Sequence, residues 1–563
     1  MYIVKKKIKG KEYFYARKSV REGEKVISKT IAYLGKTRKE AEEKLERIKN
    51  QGNKKPIIKG EKQEIKKPEV RKELTIDELA AFCKRKGFVF KSSEIYGGFA
   101  GFWDYGSLGV ELFNNIKQDF WKFFVQEKEN MVGIDSSIIS HPKTWEASGH
   151  IESFKDVSVK CKKCQKFNKV DKSELGKVKC GFCGGELNIG SAKDLNLMFS
   201  TKVGPVEEES LLAYLRPETA QGMFLNFKQV YETSRLKLPF GILQVGKCFR
   251  NEIAPRDFLF RSREFTIAEF EFFIHPDEKK CDLLDDRHKN VEINLLDAET
   301  QEKGREDLRK ITIARMMKEN KLEEWHAYWL AEQILWFKKL GLEKIKVREH
   351  MKNELSHYSS ATFDLDYEYP FGSKEVAGIA NRGQFDLKQH EKFSGEKIEV
   401  FDEESKKKII PRVIEPTFGI DRIFLALLSQ GYEYDSSREN VVLKLPAYLA
   451  PIKAAVFPIV KGEFEKLARE VYLQLKKEFN VIYDSGGSIG RRYARMDEVA
   501  CPYCITIDSD SLKKKDVTIR SRDTTKQIRV KISELKEILR KLINSEIEFE
   551  KAGKIVETRV KEI

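Results

Sequence analysis

The sequence predicts an α+β protein of several domains, and three observations carry that reading. Phe249–Phe272 reads strand, loop, strand, with arginines and acids set on an aromatic ladder. Cys161-Lys-Lys-Cys164 and Cys180-Gly-Phe-Cys183-Gly-Gly form two CxxC knuckles separated by fifteen residues. Beyond Tyr434 the texture changes to apolar strand-like runs alternating with charged helical ones. A chain of 563 residues has room for about three or four domains, and 40% apolar with 34% charged residues is a globular composition.

Taken in order, residues 1–50 read as a small basic module of three strands and a helix. Tyr2–Ile8, Glu12–Ser19 and Lys25–Leu34 have strand texture, and turns at Gly10-Lys11 and Glu22-Gly23 join them. Thr37 can cap a helix through Lys39–Arg47. Residues 51–73, with Pro56, Gly60 and Pro68, read as a polar linker. Residues 1–72 hold 24 Lys+Arg against 10 Asp+Glu, while the other 491 hold 81 against 79. The formal charge of +16 is therefore almost wholly N-terminal. Clustered cations attract polyanions and release counterions, so RNA is the expected partner of this segment, with a solvated tail as the alternative. No run reaches the length of a membrane-spanning helix, and Met1–Lys7 lacks the layout of a signal peptide, so a cytoplasmic location is expected.

Residues 74–440 read as one large domain, with a helix-rich insertion over about 276–355. Trp325, Trp329 and Trp336 within it stand among Leu and Ile and read as packing residues. Residues 441–563 read as a compact α/β domain, with strands at Ala454–Val460, Val481–Tyr483 and Cys504–Asp508 and a helix over Glu463–Phe479.

Nine cysteines in a cytosolic chain point to metal ligation or buried thiols rather than a disulfide framework. Cys161, Cys164, Cys180 and Cys183 can supply four thiolates at the corners of a tetrahedron, which suits a structural Zn²⁺ in an insertion over about 157–190. Four protein ligands leave no open position for catalysis. Cys501 and Cys504 have no second pair nearby and read as buried thiols, a redox or metal role being the alternative.

The charged ladder is costly to bury unless its charges meet a ligand or each other. Attack on ATP needs cationic forks for phosphate and a flat apolar grip on adenine. The chain has no GxxxxGK[ST] loop and no kinase-type glycine-rich loop, so a different scaffold is required.

Phe249-Arg-Asn-Glu252, a loop, then Arg261-Ser-Arg-Glu-Phe265 resembles motif 2 of the class II aminoacyl-tRNA synthetases. Gly419-Ile-Asp-Arg422 with the apolar helix that follows resembles motif 3, and Gly109–Phe124 with Met131–Ile139 resembles motif 1, the dimer-forming element. Ser92-Ser-Glu-Ile-Tyr-Gly-Gly98, His141–His150, Tyr214–Gly222 and Val413-Ile-Glu-Pro-Thr-Phe-Gly419 are similar to strings of the homodimeric glycyl-tRNA synthetase family, over about residues 74–555. The resemblance implies an antiparallel-sheet catalytic core and an anticodon-binding domain. It also implies ATP-dependent activation of glycine and its transfer to the 3′ end of tRNA(Gly), with release of AMP and pyrophosphate. Magnesium bound with ATP, a structural zinc and a homodimer belong to the same expectation.

Carried over by position, the resemblance gives Arg250 and Arg422 catalytic roles. Arg250 grips the α-phosphate and the activated carbonyl, Arg261 and Arg422 clamp the outer phosphates, Glu252 touches the adenine edge, and Phe265 stacks on the ring. Asn251, Phe260, Ser262, Arg263, Glu264, Val376, Gly419, Ile420 and Asp421 complete the ATP site, and Glu375 faces the nucleotide and its Mg²⁺. Glycine is expected among Glu218, Glu269 and Glu415, with Phe265, Thr266, Ile267, Ala268, Pro416, Thr417, Phe418 and Gly419 around it. Carboxylates suit an α-ammonium, the one charged handle on a ligand with no side chain. Three departures stand out: Thr417 replaces the family's usual Ser, Asn168-Lys169-Val170-Asp171 stands where the family has Arg-Ala-Asp, and Asp497-Glu-Val-Ala-Cys-Pro502 replaces Asp-Glu-Ile-Gly-Thr-Pro. In the C-terminal domain, Gly486–Tyr493 and Arg520-Ser-Arg-Asp523 are the expected RNA-facing stretches.

Overall fold

The computed structural model describes residues 2–8, 11–22, 25–35, 37–38, 41–42, 44–45, 74–153, 155–170, 175–206, 210–355, 359–403 and 405–556. It separates into two units, residues 1–72 and 73–563. In the first, strands Tyr2–Ile8, Lys11–Glu22 and Lys25–Gly35 form an antiparallel meander in chain order, each hairpin longer than its alternation alone indicated. Positions 38, 41–42 and 44–45 are helical, and Ala41 and Leu45, four apart on one helical face, bury against Phe14, Ala16 and Leu34. The linker expected over 51–73 lies outside the described residues.

The second unit is organised by a nine-stranded sheet. Its central four strands are Ala361–Tyr369, Gly372–Gly383, Arg412–Gly419 and Glu264–Ile274, all antiparallel, continued by Phe240–Phe249 and then by Met131–Gly133 in parallel. The strand Glu264–Ile274 explains the layering. Ala268, Phe270, Phe272 and Ile274 alternate toward one face, where helices Ser107–Trp121, Glu324–Lys339 and Ile420–Gly431 complete the main core. Glu269, Glu271 and Phe273 alternate toward the other, where Phe273 meets Phe224 and Phe227 of helix Ala220–Ser234. Trp325, Trp329 and Trp336 are buried in the main core as packing residues.

Residues 276–355 differ from the helix-rich expectation. Strands Glu292–Leu296, Arg309–Thr312 and Ile345–Glu349 accompany four helices and extend the edge of the main sheet. These strands have only four or five residues and mix charged or polar with apolar side chains, a weak signal beside the apolar helix Glu324–Lys339.

The knuckle insertion is a three-stranded sheet of Leu187–Asn196, Lys155–Cys161 and Phe167–Val170, slightly wider than the cysteine spacing suggested. The C-terminal part is a six-stranded sheet. Val481–Tyr483, Ala454–Pro458 and Tyr503–Ile507 run parallel, and Asp516–Ser521, Gln527–Lys531 and Lys554–Ile555 continue antiparallel. Helices Glu465–Leu475 and Leu535–Ile543 cover its core.

Candidate active site

A cavity of about 1070 Å³ opens over the cavity-facing side of the main sheet. The hairpin Phe240–Phe249 and Glu264–Ile274 supplies one wall through the loop that joins its strands, and Gly419, where the strand Arg412–Gly419 turns into helix Ile420–Gly431, supplies another. Arg250, Arg261 and Arg422, 172 positions apart at their extremes, line this one cavity. The Arg250 guanidinium carbon stands 5.5 Å from the Phe265 ring centroid, and its Nε donates to Pro217 O at 3.1 Å. Arg261 Nε donates to Glu252 Oε2 at 2.8 Å. Arg422 Nη1 donates to Glu375 O at 2.9 Å and lies 3.1 Å from Glu375 Oε2, while its guanidinium carbon sits 4.5 Å from the Phe260 ring centroid. Planar guanidiniums held by acids and aromatic faces are pre-oriented for phosphate oxygens.

Asp421 ties the motif-3 turn to the motif-2 strand. Its carboxylate accepts from Tyr105 Oη and from the Thr266 backbone N–H. Arg263 does not line the cavity. It donates to Glu252 O at 2.9 Å and to Ala100 O at 3.0 Å, bracing the loop from outside. Asn251 is exposed, Glu264 pairs with Lys247 at 3.2 Å, and Val376 and Ile420 are core residues, so these four also stand off the cavity. Glu252, Phe260, Arg261, Ser262, Phe265, Glu375, Gly419, Asp421 and Arg422 line it.

Of the three glutamates expected around glycine, only Glu269 lines this cavity, with Thr266, Ile267, Thr417 and Gly419. Its Oε2 accepts from Thr219 N at 2.8 Å, from Ala220 N at 3.1 Å and from the Thr219 hydroxyl, and its Oε1 accepts from Thr417 Oγ1 at 3.3 Å. Glu218 and Glu415 stand behind it. Glu218 Oε2 faces His150 Nε2 at 3.0 Å and borders a second cavity of about 530 Å³, while Glu415 Oε1 accepts from Arg382 Nη1 at 2.7 Å. Ala268 and Phe418 are buried in the main core and Pro416 in its strand, so they shape the floor without facing the cavity.

The acidic recess was only partly legible. Glu271 and Asp386 join Glu218, Glu269 and Glu415 to make five buried carboxyls, against which stand Arg382 and His150. Burial pushes Glu269 up, and the neighbouring Glu218 charge adds to it. Burial would also raise Glu218, but His150 and Arg382 hold it well below the usual carboxylate range. Such a recess favours a cation. The Glu269/Glu271 alternation could have announced Glu271, whereas nothing local in the sequence announces Arg382. Across the cavity, Arg348 pairs with Asp364, and burial raises the adjacent Asp366 to about 6.

The four knuckle cysteines are the cluster of ligand atoms close enough to share an ion among the described residues, all within 4.8 Å of one another. Cys161–Cys183 and Cys164–Cys180 are each 3.6 Å apart between sulfurs. A tetrahedron with bonds of about 2.3 Å has edges of about 3.8 Å, so the donor set fits zinc in both chemistry and size. The Lys163 N–H donates to Cys161 Sγ at 3.3 Å. A Cβ at Gly185 would stand 3.3 Å from the sulfurs of Cys161 and Cys183, which is why the turn there is glycine. Lys169 sits on the knuckle strand Phe167–Val170, paired with Ser158, and its side chain lies outside the described residues. Cys501 and Cys504 are buried thiols, Cys504 pushed well above its ordinary value by burial.

The RNA-facing expectation in the C-terminal domain needs correction. Arg492, Arg520 and Arg522 are buried, with Arg492 donating to Pro458 O at 2.6 Å and Arg520 to both Asp497 oxygens at 2.8 and 3.0 Å. Charge runs in a sequence do not reveal that Arg520 will be buried against Asp497, an acid 23 positions away. Arg491 and Arg495 remain exposed.

Comparison with known proteins agrees with this geometry. Residues 202–431 match the tRNA synthetase class II core domain (G, H, P, S and T), and residues 453–542 match an anticodon binding domain. A crystal structure of prolyl-tRNA synthetase from Cryptosporidium parvum, complexed with L-proline and AMP, superposes with a TM-score of 0.51 at 15% identity, covering 84% of this chain and 76% of that one, which is a likeness of fold. The protein is a class II aminoacyl-tRNA synthetase with a C-terminal anticodon-binding domain. Glycine–tRNA ligase of Borrelia hermsii is 40% identical over 82% of this chain and 96% of its own length, and that of Geobacillus thermodenitrificans is 42% identical over 83% and 98%. The chain belongs to the glycine–tRNA ligase family.

Proposed function

We propose that the cavity binds ATP with magnesium beside glycine and joins the glycine carboxylate to the α-phosphate, after which the glycyl group passes to the 3′ end of tRNA(Gly). The observation that carries this reading is the juxtaposition of a guanidinium-lined cavity with a buried acidic recess behind Glu269. A glycine oxygen attacks the α-phosphorus, the bond to pyrophosphate breaks, and Arg250 stabilises the charge on the non-bridging oxygens. Arg261 and Arg422 hold the outer phosphates, and Phe265 packs on adenine. A tRNA 3′-terminal hydroxyl then attacks the glycyl carbonyl carbon, its proton leaves to solvent, and AMP departs. Positioning and charge neutralisation carry both steps.

Glu269 and Thr417 meet the α-ammonium directly, and Glu218 and Glu415 add their field from the layer behind. Glu375, one of whose carboxylate oxygens lies 3.1 Å from Arg422, is the residue that would hold magnesium bound with ATP, and the ion would neutralise phosphate charge there. Cys161, Cys164, Cys180 and Cys183 hold a structural zinc. Ile139, Val203 and Leu211 are 50%, 50% and 70% exposed and share one face of the small sheet formed by Ser200–Val203, Leu211–Leu215 and Ile139–Ser140, which supports a homodimer through that apolar face. The basic residues 1–72 are assigned to RNA contact, and the cytoplasm is the expected location. The decisive experiment is ATP–pyrophosphate exchange: glycine should support it, alanine and serine poorly, and exchange with none of them would overturn the assignment.

A further inference from the structure

Glu271 follows Glu269 by two residues on the same strand and so shares its face. The register that sets Glu269 opposite Thr417 and Phe272 opposite Ile414 sets Glu271 opposite Glu415. Directly opposed residues on neighbouring strands have Cβ atoms about 4.5–5.5 Å apart, so the two side chains leave the sheet as neighbours on one face. Glu271 is fully buried, and neither of its carboxyl oxygens has a hydrogen-bond partner.

The charged groups around it come from four elements. Glu269 shares its strand, Glu415 stands on Arg412–Gly419, Arg382 on Gly372–Gly383, and Asp386 on helix Phe385–Ser394. Arg382 is the one cation of this set, and its guanidinium already serves two acids. Nε and Nη2 donate to Asp386 at 2.8 Å each, and Nη1 donates to Glu415 at 2.7 Å. Two neighbouring buried carboxyls that share the field of one such cation, only one of them bonded to it, cannot both ionise at modest cost, and like pairs of this kind keep a proton.

We propose that Glu271 and Glu415 form a carboxylic acid–carboxylate pair that keeps one proton until the α-ammonium of glycine enters the recess, and then releases it to solvent. The inference rests on the assignment of the recess to glycine. The O–H bond of the pair breaks, the proton leaves as hydronium or to buffer, and the ammonium stays protonated. Glu271 is a positioning residue: it is the member of the pair that does not touch the substrate, and it sets how much negative charge the recess presents before and after binding. Burial raises both carboxyls and the Arg382 charge opposes it in both, but only Glu415 has the guanidinium's hydrogen bond, at 2.7 Å, which places the proton chiefly on Glu271.

A ligand cation stabilises the deprotonated pair, so glycine affinity rises with pH below the pair's own titration, by at most about tenfold per pH unit for one linked proton. Titration calorimetry of glycine into the full chain, in two buffers of different ionisation heat at pH about 7, reads the proton directly. Release of up to about one proton per glycine is expected, and the same measurement on Glu271→Gln should give binding without release and a Kd that no longer follows pH. Binding by the natural protein with no proton exchanged overturns the pair while leaving the glycine assignment standing, as does release that persists unchanged in folded Glu271→Gln. Absence of glycine binding overturns the glycine assignment itself. Where Glu271→Gln does not fold, the natural protein's Kd between pH about 6 and 8 decides: a fall with rising pH supports the pair, and a flat profile overturns it.

Discussion

Arg382 Nη1 lies 2.7 Å from Glu415 Oε1, and both side chains are buried beneath the cavity floor. Because the other edge of the same guanidinium holds Asp386, a single arginine neutralises two acids of the recess. Arg382→Ala leaves both carboxyls buried without a cation, and breaking such a pair costs about 3–5 kcal/mol. Urea unfolding followed by tryptophan fluorescence should reveal the loss. Glu415, raised by burial and drawn down by Arg382, titrates higher still without its cation, so the variant's deficit should be smaller at pH about 6, where Glu415 takes up a proton, than at pH about 8.

Arg250 is placed by Pro217 O and the Phe265 face. Arg250→Ala should lower glycine-dependent pyrophosphate exchange by about 10²–10³-fold or more, in line with the loss of one oriented donor to a transition-state oxygen. The elution volume of the protein in gel filtration should not change. Unimpaired exchange would remove Arg250 from the mechanism.

Thr417 carries a methyl beside its hydroxyl, and its Oγ1 donates to Glu269 at 3.3 Å. Thr417→Ser keeps that bond and widens the recess. One methyl's worth of space is about 1–3 kcal/mol of discrimination, so the alanine-to-glycine ratio of kcat/KM in the exchange assay should rise by about tenfold.

Metal analysis of the purified chain should find one zinc, and Cys180→Ser should lose it. Structural zinc contributes its binding energy to folding. Hydrogen exchange should therefore accelerate across strands Lys155–Cys161, Phe167–Val170 and Leu187–Asn196, and unchanged protection there would argue against a metal clasp.

Two arginines of the C-terminal domain separate packing from recognition. Arg520→Ala breaks the bidentate bond to buried Asp497 and should lower the domain's melting temperature. Arg491→Ala touches an exposed position, so melting should hold while the tRNA KM rises and its salt slope flattens by about one charge.

The local pattern of the sequence determined a good deal by itself. Two CxxC knuckles need only a turn each to bring four sulfurs together, and the arginine-bearing strand–loop–strand of Phe249–Phe272 closes on itself as a hairpin, so Arg250, Glu252, Arg261 and Phe265 were legible before any fold was known. Tertiary structure alone decided which acids and cations meet. Arg382 reaches Glu415 only because two strands pair, Glu218 is drawn to His150 rather than into the cavity, and Arg520 is buried by Asp497. The charged edge strands of 276–355 likewise became strands by adding to an existing sheet. The physical reason is one of range. Turn geometry and side-chain alternation act over a few residues, whereas desolvation and ion pairing depend on what the rest of the chain packs against each charge.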